Sequence, residues 1–111
     1  MKRIVCYIRP HRLEVVKGAI AATGVNGLTV ADVRGTGNSP EASRNASMAA
    51  VLSMPIRSRL EVVVPDERVE EVIQSVLDCA QSGDGDDGKI FVEPMIDAVR
   101  IRTMERGDAA V

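Results

Sequence analysis

Three short stretches carry residues whose types and spacing suit an anionic ligand. The first is Ser82-Gly83-Asp84-Gly85-Asp86-Asp87-Gly88-Lys89. Its three glycines permit backbone conformations in which several N–H groups converge on one oxyanion, and Lys89 adds a point charge at the end of the turn. The same composition also describes an ordinary tight turn. It is not a Walker loop, because the Gly-Lys-Ser/Thr signature is missing, and Asp84, Asp86 and Asp87 lack the spacing and closing glutamate of an EF-hand calcium loop. The second stretch holds Arg100 and Arg102. On a strand, residues two apart share a face, with stems starting roughly 7 Å apart. Such a pair is relieved by an anion held in bidentate forks, or by carboxylates of a neighbouring strand. The third is Gly35-Thr36-Gly37, where paired glycines at a strand end allow a ligand close to the backbone. Nothing points to covalent chemistry. His11 is the only histidine, follows Pro10, and has no serine or cysteine placed to form a triad, so it reads as a surface residue. No paired carboxylates stand out as an acid/base couple.

These stretches must be positioned by the elements around them. Ile4 to Ile8 is short, apolar and β-branched, which predicts a strand ended by Pro10. Leu13, Val16, Ile20 and Ala21 recur at helical spacing over 12–23, with Gly24 placed to end the helix. Val25 to Arg34 predicts a strand broken by Gly35 and Gly37. Residues 37–56 are polar and turn-rich, then small and Met-containing up to Pro55. A stretch of about twenty residues without periodicity is either a functional loop or an insertion. Arg59 to Val64 alternates, with Leu60, Val62 and Val64 on one side and Arg59, Glu61 and Val63 on the other. Asp66 is placed to cap a second helix, whose apolar stripe is Val69, Val72, Ile73, Val76, Leu77 and Ala80. Ile90 to Val92 and Ile96 to Ile101 predict two more strands, interrupted by Glu93-Pro94. The order is β-α-β-β-α-β with one short extra strand: an α+β ferredoxin-like sandwich in a single domain spanning 1–111.

Composition narrows the functional classes. The chain has 111 residues, 45% of them apolar and 27% charged, enough for one packed core and too apolar for disorder. The net charge of −2 gives no general pull toward nucleic acid or an acidic membrane. Tyr7 and Phe91 are the only aromatic residues, which argues against a single-strand RNA or DNA platform. No apolar run reaches the roughly 20 residues needed to span a bilayer, and the N-terminal apolar run is too short for a signal peptide. Cys6 and Cys79 fall in apolar-patterned segments. They read as buried thiols of a reducing cytoplasm, with a disulfide or redox pair as the alternative.

Five blocks, in order, resemble the PII signal-transduction family along essentially the whole chain. They are Ile8-Arg9-Pro10 with Leu13, Val16 and Lys17; Gly27-Leu28-Thr29-Val30 leading to Val33-Arg34-Gly35-Thr36-Gly37; Leu60 to Asp66; Asp87-Gly88-Lys89-Ile90-Phe91-Val92; and Val99-Arg100-Ile101-Arg102-Thr103. The resemblance implies a non-enzymatic homotrimer that binds an adenine nucleotide (ATP, ADP or AMP) in clefts between subunits. No prosthetic group and no metal site are expected in this chain. The loop 37–56 (the T-loop) would dock on a transporter or on a metabolic or regulatory protein. The turn 82–89 (the B-loop) would hold phosphates, and the C-terminal segment 100–111 would supply arginines from the adjacent subunit. By position, Thr29, Gly35, Thr36, Gly37, Glu61 and Val63 would line the adenosine side. Asp87, Gly88, Lys89, Arg100 and Arg102 would line the phosphate side.

Departures from the family pattern sharpen the expectation. The loop 37–56 has no tyrosine, so tyrosine-directed modification is chemically excluded. The family's glutamine past the second glycine is Ser39 here, and a lysine near the end of the loop is Arg57. Asp84 and Asp86 replace the usual lysine and glycine of the turn, and added carboxylates near phosphates disfavour a highly charged ligand. These changes imply weaker ATP binding, or a preference for ADP or AMP. They also imply a small-anion effector held by Ser39 and Arg57, with bicarbonate as the candidate, as in PII-like relatives serving inorganic-carbon metabolism. The alternative is a nitrogen-regulatory PII protein sensing 2-oxoglutarate. A phosphate-transfer enzyme of ferredoxin-like fold is the rival of another class, but His11 is misplaced for a nucleoside-diphosphate kinase.

Overall fold

The computed structural model describes residues 1–37, 54–83, 85 and 87–111. Four strands form one antiparallel sheet: β1 (Lys2–Ile8), β2 (Thr29–Arg34), β3 (Ile56–Val64) and β4 (Gly88–Pro94), in the order β2-β3-β1-β4. Helices α1 (Leu13–Ala22) and α2 (Val69–Ala80) pack against each other on one face. This is the ferredoxin-like α+β arrangement expected.

Period-two alternation decides the two faces. Ile4, Cys6 and Ile8 of β1 and Leu60, Val62 and Val64 of β3 point to the helices and are buried. Val16 and Ile20 of α1 and Val72, Val76 and Ala80 of α2 close the core over them. Each fully buried branched side chain stabilises the fold by about 1.5–3 kcal/mol. Ala21, expected on the apolar stripe, is exposed, and Leu77 stands at its edge. Ser58 is the only buried polar residue among those described; its Oγ has no hydrogen-bond partner there. Neither cysteine is in a disulfide. Burial pushes the Cys6 thiol up to about 11.

Four local expectations are corrected. β2 begins at Thr29, not Val25, because Gly24 and Gly27 both take positive φ and turn the chain before it. β3 begins at Ile56, three residues earlier than expected. Asp66 does not cap α2: a 3-10 turn, Asp66–Arg68, precedes that helix. Its carboxylate instead pairs with the Met1 amino group at 2.9 Å and Lys2 Nζ at 3.1 Å, which hold its pKa below the usual carboxylate range. Ile96 to Ile101 is not a strand. After Pro94 the chain makes one isolated bridge, Val99 to Arg106, with a turn over 101–103 and positive φ at Met104 and Gly107. Of the loop 37–56, only 37 and 54–56 lie among the described residues; Ser39 lies outside them, as do Asp84 and Asp86.

Candidate functional site

The sheet register brings several predicted site residues onto the face away from the helices. Thr29 on β2 stands directly opposite Glu61 on β3, and Val63 lies two residues further along that face, opposite Arg3. Arg59 Nε approaches Glu61 Oε1 at 3.0 Å but without an aligned hydrogen bond. Lys89 on β4 pairs with Tyr7 on β1, and Tyr7 pairs with Arg59 on β3, so the three form a row across this face. The Lys89 side chain is exposed and makes no hydrogen bond or ion pair with the described residues. Gly35 closes the root of the long loop by donating its N–H to the Pro55 carbonyl at 3.1 Å, and Thr36 and Gly37 follow it exposed. Arg57 pairs with Val33 on the same face, and its Nη1 donates to the Ile56 carbonyl at 3.1 Å.

The start of β4 is held with little freedom. Gly88 has φ +114, and a Cβ built on it would lie 1.8 Å from the Tyr7 carbonyl oxygen. Only glycine fits there. Just before it, the Asp87 carboxylate turns back on its own loop. It accepts the backbone N–H of Ser82 at 2.8 Å, that of Gly83 at 3.1 Å, and the Ser82 hydroxyl. These bonds, helped by the charge of Arg9, hold its pKa below the usual carboxylate range. A groove of about 460 Å³ opens beside this point, walled by Ile73, Val76, Leu77, Ile90 and Val92. It does not include Thr29, Glu61 or Val63, which lie on the other side of the sheet.

Arg100 and Arg102 lie elsewhere. They follow Pro94, which pairs with Lys2 at the opposite end of the sheet from Gly88, which pairs with Ile8. The two ends of β4 are six residues apart, roughly 20 Å at about 3.4 Å each. The sequence placed the arginines on one strand face, and the structure does not, because residues 101–103 form a turn closed by the Met104 N–H on the Arg100 carbonyl at 2.7 Å. Arg100 sits 3.6 Å from Glu105, so a carboxylate of its own segment relieves its charge. Arg102 has no partner among the described residues. Ile96, Ile101 and Met104 beside them are almost wholly exposed.

The family profile described as Nitrogen regulatory protein P-II matches residues 1–105. Over the whole chain, the sequence is 44% identical to Nitrogen regulatory protein P-II 2 of Methanothermobacter thermautotrophicus, covering 97% of that protein. It is 39% identical to Nitrogen regulatory protein P-II of Cereibacter sphaeroides and 38% identical to its namesake in Haemophilus influenzae, with both chains covered completely in each case. The chain belongs to the P-II family.

P-II relatives are named as regulatory proteins, and theirs is a non-enzymatic signalling family, which removes the phosphate-transfer rival. Within this P-II chain the register brings Thr29, Glu61, Val63 and Lys89 to one face, and sets Gly35 at the root of the long loop beside them. Arg100 and Arg102 are not brought to that group. Two contributors were missed in the sequence. The charge of Arg9 acts on Asp87, and the Tyr7 carbonyl lies against Gly88. Arg9 fell within a block carrying the resemblance, whereas a backbone contact such as that of Tyr7 leaves no side-chain signal. The aromatic pair needs a correction too. The scarcity of aromatics argued against a stacking platform, yet the two present, Tyr7 and Phe91, both stand on the open face. They pack edge to face, 6.0 Å apart at 82°, each ring's edge or face used by the other. Among the described residues no three His, Cys, Asp or Glu cluster as metal ligands, and no helix is long and apolar enough to cross a membrane.

Proposed function

We propose that this P-II protein binds an adenine nucleotide between copies of itself and signals its occupancy to a partner protein through the loop 37–56. The observation that supports this best is the separation of its cations. Lys89 lies near one end of β4 and the arginines follow the other end, and those two ends are roughly 20 Å apart within one chain. A ligand of nucleotide size meets both only where the C-terminal segment of one copy reaches the Gly88 end of another. Three copies, the assembly typical of the family, give three such clefts. Thr29, Gly35, Thr36, Gly37, Glu61 and Val63 would face adenosine; Gly88, Lys89 and a neighbouring copy's arginine pair would face phosphates. Ligand binding at the root of the loop shifts its conformational equilibrium, and partner affinity follows by linkage.

ADP or AMP is the favoured ligand over ATP, because Asp84 and Asp86 add negative charge to the phosphate turn. Ser39 and Arg57 would hold a small anion such as bicarbonate beside it, in place of 2-oxoglutarate. Calorimetry with the three nucleotides, repeated with each of these anions, tests the ligand assignments. ATP binding tightest without a divalent metal overturns the nucleotide preference, and 2-oxoglutarate acting where bicarbonate does not overturns the effector. Lys89→Ala and Arg102→Ala each weaken binding by about 1–3 kcal/mol, the usual range for a lost charged hydrogen bond. Co-expressed chains carrying one substitution each regain some sites with both cations intact. Unchanged affinity in the single variants, or mixed assemblies with no recovered sites, overturns a cleft between copies.

A further inference from the structure

We propose that Asp87 is a positioning residue of the glycine-rich turn: its carboxylate latches the turn onto itself and fixes where Lys89 meets an anion, without touching the ligand. The part of this concerning the ligand rests on the nucleotide reading above. Three bonds carry the proposal. Asp87 Oδ2 accepts both the Ser82 and the Gly83 amides, and Oδ1 accepts the Ser82 hydroxyl. A carboxylate has about four acceptor positions, so most of its capacity faces inward. Those two amides are spent. A phosphate cannot use them unless the latch opens, and the converging-amide expectation drawn from the glycines does not extend to them.

The latch has a fixed anchor on its other side. Asp87 precedes Gly88, whose backbone is pressed against the Tyr7 carbonyl, and Lys89 follows in register with Tyr7. Asp87 therefore joins Ser82 and Gly83 at the start of the turn to the strand that Gly88 opens. The hydrogen bonds from Ser82 and Gly83, with a smaller contribution from the charge of Arg9, favour the ionised form of the carboxylate. Had Asp87 instead acted as a free charge beside the ligand, it would repel phosphates, and its removal would tighten binding. The latch gives the opposite sign.

The experiment follows ADP binding by calorimetry and amide exchange in the ligand-free protein, for Asp87→Ala, Asp87→Asn and Ser82→Ala. Asp87→Ala is expected to weaken ADP about tenfold. Asp87→Asn keeps an acceptor oxygen and is expected to fall between it and the parent. Ser82→Ala removes one of three bonds and is expected to cost less, with no further loss when combined with Asp87→Ala. The Ser82 and Gly83 amides are expected to exchange slowly in the parent and fast in Asp87→Ala. Tighter ADP binding in Asp87→Ala or Asp87→Asn overturns the proposal. So do unprotected Ser82 and Gly83 amides in the parent. If the parent binds no adenine nucleotide, the nucleotide reading falls with it, and the positioning role toward a ligand falls too. Slow exchange at Ser82 and Gly83 then upholds only the latch. If Asp87→Ala fails to fold, Ser82→Ala and Asp87→Asn decide by the same two measurements.

Discussion

The two ends of β4 solve opposite problems. At the Gly88 end the backbone is fixed and the charged side chain of Lys89 has no partner among the described residues. At the Pro94 end regular pairing stops and charges hold the chain instead. Arg3 pairs with Glu93 at 2.6 Å, Asp66 with Lys2, Asp97 with Arg106, and Arg100 approaches Glu105. Exposed ion pairs of this kind each contribute about 0–1 kcal/mol, so the Pro94 end is held by many weak ties. The Gly88 end is held by one steric fit. The difference shows how a small domain can leave a cation unspent: position comes from backbone packing, so the side chain is not needed to hold the fold.

The largest expected effect therefore belongs to Gly88. A methyl group there meets the Tyr7 carbonyl oxygen at 1.8 Å on a backbone with φ +114, and both the contact and the conformation oppose it. Gly88→Ala is expected to destabilise the fold by about 3–5 kcal/mol or to displace β4 from β1. Denaturant unfolding measures this directly. Gly107→Ala is the matched control at the other end: φ is +65, but nothing lies within 4 Å of its added Cβ, so only the backbone cost applies. Equal losses in the two variants would erase the contrast between the ends.

The same contrast explains what was legible in the sequence. The strands and helices whose apolar residues meet inside the chain were readable, because Val62 and Val64, or Val72 and Val76, repeat at the period of the element that buries them. The segment 96–101 was misread for the converse reason. Ile96, Val99 and Ile101 carry strand-like composition, yet Ile96 is 103% and Ile101 96% exposed, and among the described residues the segment makes only the isolated Val99–Arg106 bridge. Local pattern reports apolar character, not whether the surface it meets is in the same chain. In the candidate site, Lys89, Thr29 and Glu61 were legible through residue type and resemblance. The Asp87 latch was not, since an aspartate in a glycine-rich turn looks the same whether it faces a ligand or its own backbone.

A smaller effect tests the core beneath the Gly88 end. Ser58 lies in the row Gly88, Ile8, Ser58, Asp32, and its hydroxyl is buried without a partner among the described residues. The corresponding positions toward the other end, Val62 and Val64, are apolar. Ser58→Ala removes an unsatisfied polar group and is expected to stabilise the fold by about 1 kcal/mol in denaturant unfolding. A loss of similar size would mean the hydroxyl is held by a bridging water, and the Gly88 end would then be as fully satisfied as the rest of the core.

Acid distinguishes the ends by the smallest effect. Asp66 and Asp97 near the Pro94 end, and Asp87 at the Gly88 end, all have pKa values below the usual carboxylate range. Hydrogen bonds come first in each case: to the amino terminus and Lys2 for Asp66, to Arg106 for Asp97, and to Ser82 for Asp87. A depressed folded value means that the stabilisation is fully present above the unfolded aspartate pKa of about 3.9 and is lost as pH falls through the folded value. Solvent screens all three carboxylates, so each loss is slight. The consequences differ nonetheless. Asp97 also accepts the Ala98 and Gly107 amides and ties the C-terminal turn through Arg106, where no ladder replaces it. Asp87 adjoins a strand that stays paired without it. Amide exchange from pH 5 downward is therefore expected to loosen 98–107 before β4. Simultaneous loss of both would show that the charges at the Pro94 end support the sheet itself, and the division of labour between the two ends would fail.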